Sequence, residues 1–444
     1  MRRASLLTTV AACVLASFAY DGASAKSKAR PAAVHRAHTK PAPVKRVTAK
    51  PAVVKKDVAA ATPAAVTAPQ ALTPERLTTA LDTLGLGVIE VLTTGKEPLA
   101  NVAVSPASLG SVLALLDLGA NPQMRAAIHK TLGLAADKAD ATADLEALRG
   151  VIAPLMAGKE GSPLTGASAL VFSPASKPFP LAVMGLKAAG AEVSVEPLSD
   201  PATLDRINAF VKKATNGMID KILDKAPDSD GLIALNALHF KDDWRHPFDP
   251  ALTKDGEFAL AGKKTATVPM MTSDTSPKLF RVDDKYAAVR LPYVTKGFSL
   301  VLLTTKDGTA LAKDFRPALA WLTGEGFKEA AAKVILPRFS LSSSSDLLPS
   351  LDKLGLRPAR LQPASLSGLS PSPQAIAMVV QKAVIKVDEK GTEAAAATAA
   401  ATQRAIPGPA TEIKFDRPFL FALQHEDSGV VVMTGYVGDP SKAE

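Results

Sequence analysis

The stretch DEKGTEAAAATAAATQRAIPGPATEIKFDRPF, from Asp388 to Phe419, limits the folds open to this chain more than any other. Seven of the eight residues from Ala394 to Ala401 are alanine. Alanine is the best helix former, but this run has no apolar–polar periodicity that would fix a helix onto a core. The flanking segments, AMVVQKAVIKV before and FLFAL after, have the composition of buried strands. A long uncommitted segment inside a compact chain is either functional or disordered. The rest of the chain has to decide which.

With 444 residues, 47% of them apolar and 21% charged, the chain has ample material for a core. One large domain with a tail fits this length, as do two or three domains. The N-terminus accounts for part of it. A basic MRR, the apolar run ASLLTTVAACVLASFAY and the small-residue site Ala23-Ser24-Ala25 read as a secretory signal peptide over residues 1–25. The run is too short and wrongly flanked for a membrane span, and the arginine pair hints at the twin-arginine route. Cys13 suggests a lipoprotein signal, but the apolar run continues past it, which disfavours lipidation. Cys13 is the only cysteine, so a processed chain has no disulfide and no thiolate metal site. An exported protein, secreted or periplasmic, is expected.

The formal charge of +9 is concentrated in one place. Residues 26–56 carry ten Lys or Arg and no acid; removing these and the single net positive charge of residues 1–25 leaves −2 on residues 57–444. The basic stretch reads as a solvated Pro/Ala spacer over residues 26–72, with contact to an anionic envelope surface as the alternative. A nearly neutral folded part in an exported chain argues against nucleic acid as a partner.

From Thr73 the pattern changes, and a domain over residues 73–444 is expected. TPERLTTALDTLGLGVIEVLTT opens with a Thr cap and Pro and continues at helical spacing. NVAVSPASLGSVLALLDLG predicts a short strand, a break and a buried helix, and LDRINAFVKKATNGMIDKIL a helix stopped at Asn216-Gly217. Strands then dominate: GLIALNALHF, KTATVPMM, AAVRLPY, FSLVLLTT and KVILPRFSL, closing with FLFALQHEDSGVVVMTGYVGDP around a polar turn. Helices first and strands later, joined as hairpins, indicate an α+β fold.

The residues offer no catalytic constellation. The six histidines include no H-E-x-x-H pair, no G-x-S-x-G elbow exists, and Gly85-Leu86-Gly87 lies inside the first helix, so it is no nucleotide loop. His239, in an apolar run, is expected to be buried with a structural role. No enzymatic activity, no metal and no cofactor are expected.

These segments, taken in order, resemble the serpins. NVAVSPASL, INAFVKKATNGMIDKIL, LNALHFKDDWRHPFDPALT, VPMM, LPY, LPRFSL, EKGTEAAAA and FDRPFLFALQHEDSGVVVMTGYVGDP are similar to the family's successive signatures over most of 73–440. The chain is identified as a bacterial-type exported member. The resemblance implies three β-sheets, about nine helices and an exposed reactive loop over about 389–412. It implies a monomer that offers the loop as bait to a serine protease, or to a cysteine protease as a second class, and forms a covalent acyl complex. The freed upstream limb then inserts as a strand into the main sheet and distorts the protease. A non-inhibitory serpin, acting as a binding or chaperone-like protein, is the alternative.

By resemblance the hinge is Glu389, Gly391, Thr392, Glu393, Ala394, Ala395, Ala396 and Ala397, and the sheet-opening region contains Ser105, Ser108, Asn236 and Gln381. Gln381 stands where most of the family has histidine, so a pH-sensitive opening is in doubt. The hinge suits insertion. Strand residues alternate between faces, which puts Thr392, Ala394, Ala396, Thr398, Ala400 and Thr402 on one face and Glu393 on the other. The first face is small throughout, and from Thr392 to Gln403 neither Pro nor Gly interrupts a ladder. Those twelve residues would reach about 40 Å. The bait bond is open between two readings. Hinge length points to Ala405–Ile406, whereas RAIP matches a pattern with cleavage at Arg404–Ala405, which is preferred by a small margin. Arg404 would suit a trypsin-like protease and Ala405 an elastase- or subtilisin-like one.

Overall fold

The computed structural model describes residues 74–94, 101–134, 141–156, 161–225, 231–260, 263–306, 311, 315–362, 364–372, 375–392 and 410–442. The expected signal peptide, the basic spacer, the hinge from Glu393 onward and both candidate bait bonds lie outside these residues.

The first helix, Pro74–Thr93, buries Leu77, Leu81, Leu84, Val88 and Ile89 at helical spacing. Gly85 in its middle is a packing residue: a Cβ there would meet Pro106 Cγ at 2.5 Å. Val102–Val104 follows as a short strand. Ser105 then caps the buried helix Pro106–Asp117 by accepting from Ser108 N, with proline at the first helical position. Pro201–Ala214 ends where Asn216 (φ 53°) and Gly217 (φ 80°) turn left-handed. His239 is 2% exposed, as its apolar setting predicts.

Two hydrogen-bonded strand networks organise the rest. One runs Val102–Val104, Val430–Val437, Phe419–His425, Phe298–Thr305, Tyr286–Pro292, Ser276–Val282, Lys328–Pro337, Thr265–Thr272 and Lys254–Ala259, with Thr411–Lys414 also pairing Lys328–Pro337. The expected three sheets appear as two networks among the described residues because Lys328–Pro337 bridges. Its first half pairs Ser276–Val282 and its last three residues pair Thr265–Thr272.

The other network runs Glu192–Val195, Leu164–Phe172, Leu232–Phe240, Ile376–Val387, Gly391–Thr392 and Asp242–Asp243, with Phe339–Asp346 also on Ile376–Val387. All nine residues of Leu232–Phe240 are buried, because both faces are covered. Ile233, Leu235 and Ala237 cluster with Ile207 and Val211 of the Pro201–Ala214 helix, while Leu232 and Ala234 enter the core with Val112 and Leu116. Its pairing with Leu164–Phe172 is antiparallel, as is that of Ile376–Val387 with Phe339–Asp346. Between Leu232–Phe240 and Ile376–Val387 the pairing is parallel, from Ile376↔Leu232 to Val384↔His239. This parallel seam is the feature on which the site is built.

Candidate functional site

Ile376–Val387 ends in a tight turn. Asp388 Oδ1 accepts from Lys390 N at 2.9 Å and Gly391 N at 3.3 Å, and Asp388 N donates to Gly391 O at 3.0 Å. This is the local chemistry by which Asp favours turns. The chain emerges running back alongside the strand it left, with Thr392 paired antiparallel to Val387. On their other side Gly391 and Thr392 pair antiparallel with Asp243 and Asp242, the continuation of Leu232–Phe240. The two residues therefore fill the wedge where the seam has opened beyond Val384↔His239. Glycine is required at 391, because a Cβ would stand 2.2 Å from Asp242 O and 2.6 Å from Asp243 Cα.

The wedge is held from three sides. Thr392 is fully buried, its Oγ1 2.7 Å from the Tyr293 hydroxyl. Burial pushes the Tyr293 pKa up, so that hydroxyl stays neutral. Trp244 stacks on Tyr293 with ring centroids 4.4 Å apart and donates through Nε1 to Asp388 O at 2.9 Å. The backbone N–H groups of Trp244 and Phe248 donate to Lys390 O and Glu389 O at 2.7 and 2.8 Å. Glu389, 5% exposed, accepts from Arg338 Nε at 2.8 Å on both oxygens and from Thr253 Oγ1 at 2.6 Å. Burial pushes the Glu389 carboxyl up, but the hydrogen bonds from Arg338 and Thr253 outweigh it and hold the pKa below its usual value. Burial raises the Asp242 pKa despite its bonds from Thr295 and Asp243.

Halfway along the seam sits the second cluster. Gln381, 4% exposed, clasps the Ser105 peptide groups at both ends: Ser105 N donates to Gln381 Oε1 at 2.7 Å and Gln381 Nε2 donates to Ser105 O at 3.0 Å. Ser105 Oγ lies 2.8 Å from Ser108 Oγ and donates to Val432 O at 2.6 Å. Three of the four expected residues thus form one network, with glutamine supplying a donor and an acceptor from one planar group. Asn236 is register partner to Gln381 across the seam, but its Nδ2 turns to Ser168 Oγ at 2.9 Å on the next strand. Asn236 Oδ1 is buried without a hydrogen-bond partner, a deficit of about 1–3 kcal/mol.

The sequence reading missed Arg338, Thr253, Trp244 and Tyr293. Each sits within a motif recognised there (LPRFSL, DPALT, KDDW, LPY), but only the fold brings those motifs around one turn. Among the described residues no group of three or more His, Cys, Asp or Glu is arranged to hold a metal ion.

The two strand networks, with the parallel seam inside the second, define a mixed α+β protein of one family. The family model described as "Serpin (serine protease inhibitor)" matches residues 80–440, and the chain belongs to the serpins. Among its relatives is the leukocyte elastase inhibitor of Bos taurus, 33% identical over 365 residues and covering 78% of this chain and 95% of that one. Serpin-ZXA of Oryza sativa subsp. japonica is 32% identical, covering 77% of this chain and 90% of its own length. In fold, the chain matches Arabidopsis AtSerpin1 in its native stressed conformation with a TM-score of 0.71 at 22% identity, over 84% of this chain and all of that one.

Proposed function

We propose that this protein is a suicide-substrate inhibitor of serine proteases that traps the acyl-enzyme by drawing its cleaved loop into the parallel seam. The observation that carries the reading is the antiparallel pairing of Gly391–Thr392 inside the open end of that seam. A strand continuing from Thr392 runs antiparallel to both neighbours and converts one parallel ladder, the weaker kind, into two antiparallel ones. Thr392 already faces the core, so Ala394, Ala396, Thr398, Ala400 and Thr402 follow it inward, and Glu393 faces solvent.

The chemistry begins on the protease. Its serine oxygen attacks the carbonyl of the bait residue, the peptide bond breaks, and the leaving amine takes a proton and departs as a new N-terminus. Insertion of the freed limb then carries the ester away before water reaches it. The chain supplies a substrate and a conformational change, and is itself no enzyme. Arg404–Ala405 as bait directs it to trypsin-like proteases and Ala405–Ile406 to elastase- or subtilisin-like ones, with cysteine proteases a second class. The elastase inhibitor named above supports the general class of partner.

The division into residues 1–25, 26–72 and 73–444 completes the proposal. The first is a leader for export to the periplasm or beyond, and the second a basic spacer suited to an anionic envelope surface. The bacterial-type assignment rests on that leader alone; the relatives named above come from a mammal and a plant. The protein is proposed to act as a monomer.

The test mixes protein lacking residues 1–25 with trypsin, elastase and subtilisin separately, followed by a denaturing gel and mass spectrometry of the released fragment. A denaturant-stable band at the summed mass is expected, and the fragment's first residue, Ala405 or Ile406, identifies the bond. Cleavage by all three without such a band would overturn the inhibitory reading.

A further inference from the structure

Of the ten exposed large apolar side chains among the described residues, five belong to three segments that are tied together: Leu118, then Phe179, Leu181 and Met184, then Leu361. The ties are backbone hydrogen bonds. Phe179 N donates to Leu369 O at 2.8 Å, Gly368 N to Gly119 O at 3.0 Å and Asn121 N to Ser365 O at 2.9 Å. The helix Pro180–Ala188 turns its bulk outward. Leu181 and Met184, neighbours on one face, are 74% and 65% exposed, while Leu186 on the opposite face is fully buried. The charge of these segments is equally one-sided. Residues 118–134, 174–190 and 353–372 contain seven Lys or Arg and no Asp or Glu, although residues 57–444 as a whole sum to −2. Two of the seven are neutralised by acids that stand just before these segments. Arg125 Nε donates to Asp117 at 3.1 Å and Arg360 Nε to Asp352 at 2.8 Å. The other five, Lys130, Lys177, Lys187, Lys353 and Arg357, are exposed. The first carboxylate after the helix is Glu192, on the strand Glu192–Val195.

Exposed apolar side chains set among exposed cations match a partner that is anionic at its surface and apolar beneath it. A soluble polyanion would satisfy the lysines and leave Leu181 and Met184 in water. An apolar protein face would cover those two and strand the charges. We propose that this surface docks on an anionic phospholipid bilayer, with the helix Pro180–Ala188 lying in the plane of the interface. Phe179, Leu181 and Met184 enter the boundary between headgroups and acyl chains, while Lys177 and Lys187 rest on the phosphates. Residues 26–56 carry ten Lys or Arg and no Phe, Tyr or Trp, so they add attraction to the same surface without an aromatic anchor. The docking does not rest on the inhibitory reading above.

The test uses protein lacking residues 1–25, which contains no cysteine. Met184→Cys then carries a single environment-sensitive dye, and Val294→Cys, 58% exposed and bonded through its N–H to Asp243 O, carries the same dye as a control. With vesicles of phosphatidylglycerol and phosphatidylcholine in equal parts, the dye at 184 should shift to the blue and the dye at 294 should not. Vesicles of phosphatidylcholine alone should produce no shift. Leu181→Ser with Met184→Ser, both at exposed positions that folding tolerates, should weaken co-flotation with the mixed vesicles at least about tenfold, the loss expected for one buried apolar side chain. Lys177→Glu with Lys187→Glu should weaken it at least about tenfold as well, as two lysines at an anionic surface imply. Co-flotation without a shift at 184, or unweakened in the double serine variant, would show that the basic tail alone binds and would overturn the docking surface. An equal shift at 184 with soluble heparin in place of vesicles would overturn the bilayer as its partner. No readout involves a protease, so their failure is distinct from failure of the inhibitory mechanism.

Discussion

At the scale of single residues, three side chains carry separable predictions. Gln381 grips both ends of the Ser105 peptide with one amide, and an imidazole has no geometry for that pair of bonds. Gln381→His should therefore destabilise the native form by about 1–3 kcal/mol, measured by urea unfolding at neutral pH. A variant as stable as the parent would remove the amide clasp from the account. Glu389 has its pKa held down by Arg338 and Thr253, so its contribution to stability is present above its unfolded pKa and is lost as pH falls through the lower folded value. In Glu389→Gln that acid-side loss should be smaller, with stability at neutral pH reduced by about 1–3 kcal/mol because a charge-assisted pair is gone. Asp82 behaves oppositely. Burial without a hydrogen-bond partner for either oxygen pushes its pKa up to about 8. The native state therefore holds a proton there that the unfolded chain releases near pH 4. The stability associated with Asp82 is present below that pH and lost as pH rises toward about 8. Asp82→Asn should flatten the stability profile over that interval; a slope identical to the parent's would show that Asp82 does not titrate there.

At the scale of elements, the parallel seam and its antiparallel intruder make a register prediction. Thr392↔Val387 fixes the frame, so a continuing strand sets Ala394 opposite Ile385, Ala396 opposite Ala383 and Thr398 opposite Gln381. In a chain whose single cysteine, Cys13, falls in the expected leader, an Ala396→Cys/Ala383→Cys pair should cross-link after loop cleavage and not before. Cross-linking in the uncleaved protein, or in neither form, would contradict the frame. Most of this architecture was legible in the sequence. Val102–Val104, the Ser105 cap and Pro106–Asp117 follow from NVAVSPASLGSVLALLDLG, and the Asn216-Gly217 stop from its residue types. The strand Leu164–Phe172 and the helix Pro180–Ala188 were not. LTGASALVF is rich in small residues and lacks clean alternation, and PLAVMGLKA buries only Leu186 fully, so neither shows a strong period. The site was half legible. Hinge and opening residues are local motifs, whereas the Arg338–Glu389 and Tyr293–Thr392 contacts span 51 and 99 residues and leave no short-range trace.

At the scale of the whole molecule, the native state should not be the most stable arrangement of this chain. A weaker parallel ladder at the centre, a buried Asn236 oxygen without a partner and Gly391–Thr392 already paired inside the open end of the seam all favour a form with one more central strand. Nicking the loop should therefore raise the melting temperature by tens of degrees, read by calorimetry before and after limited proteolysis; an unchanged or lower value would end the metastability argument. The same frame also works as a ruler. Ile376–Val387 is twelve residues long, and counting back from Thr392↔Val387 brings Gln403 level with Ile376, where the strand ends. Arg404 is then the first residue past the rim. A protease attached there would be pulled the full length of the groove and stopped against the far edge, and the alanine tract would be the tape that measures the distance.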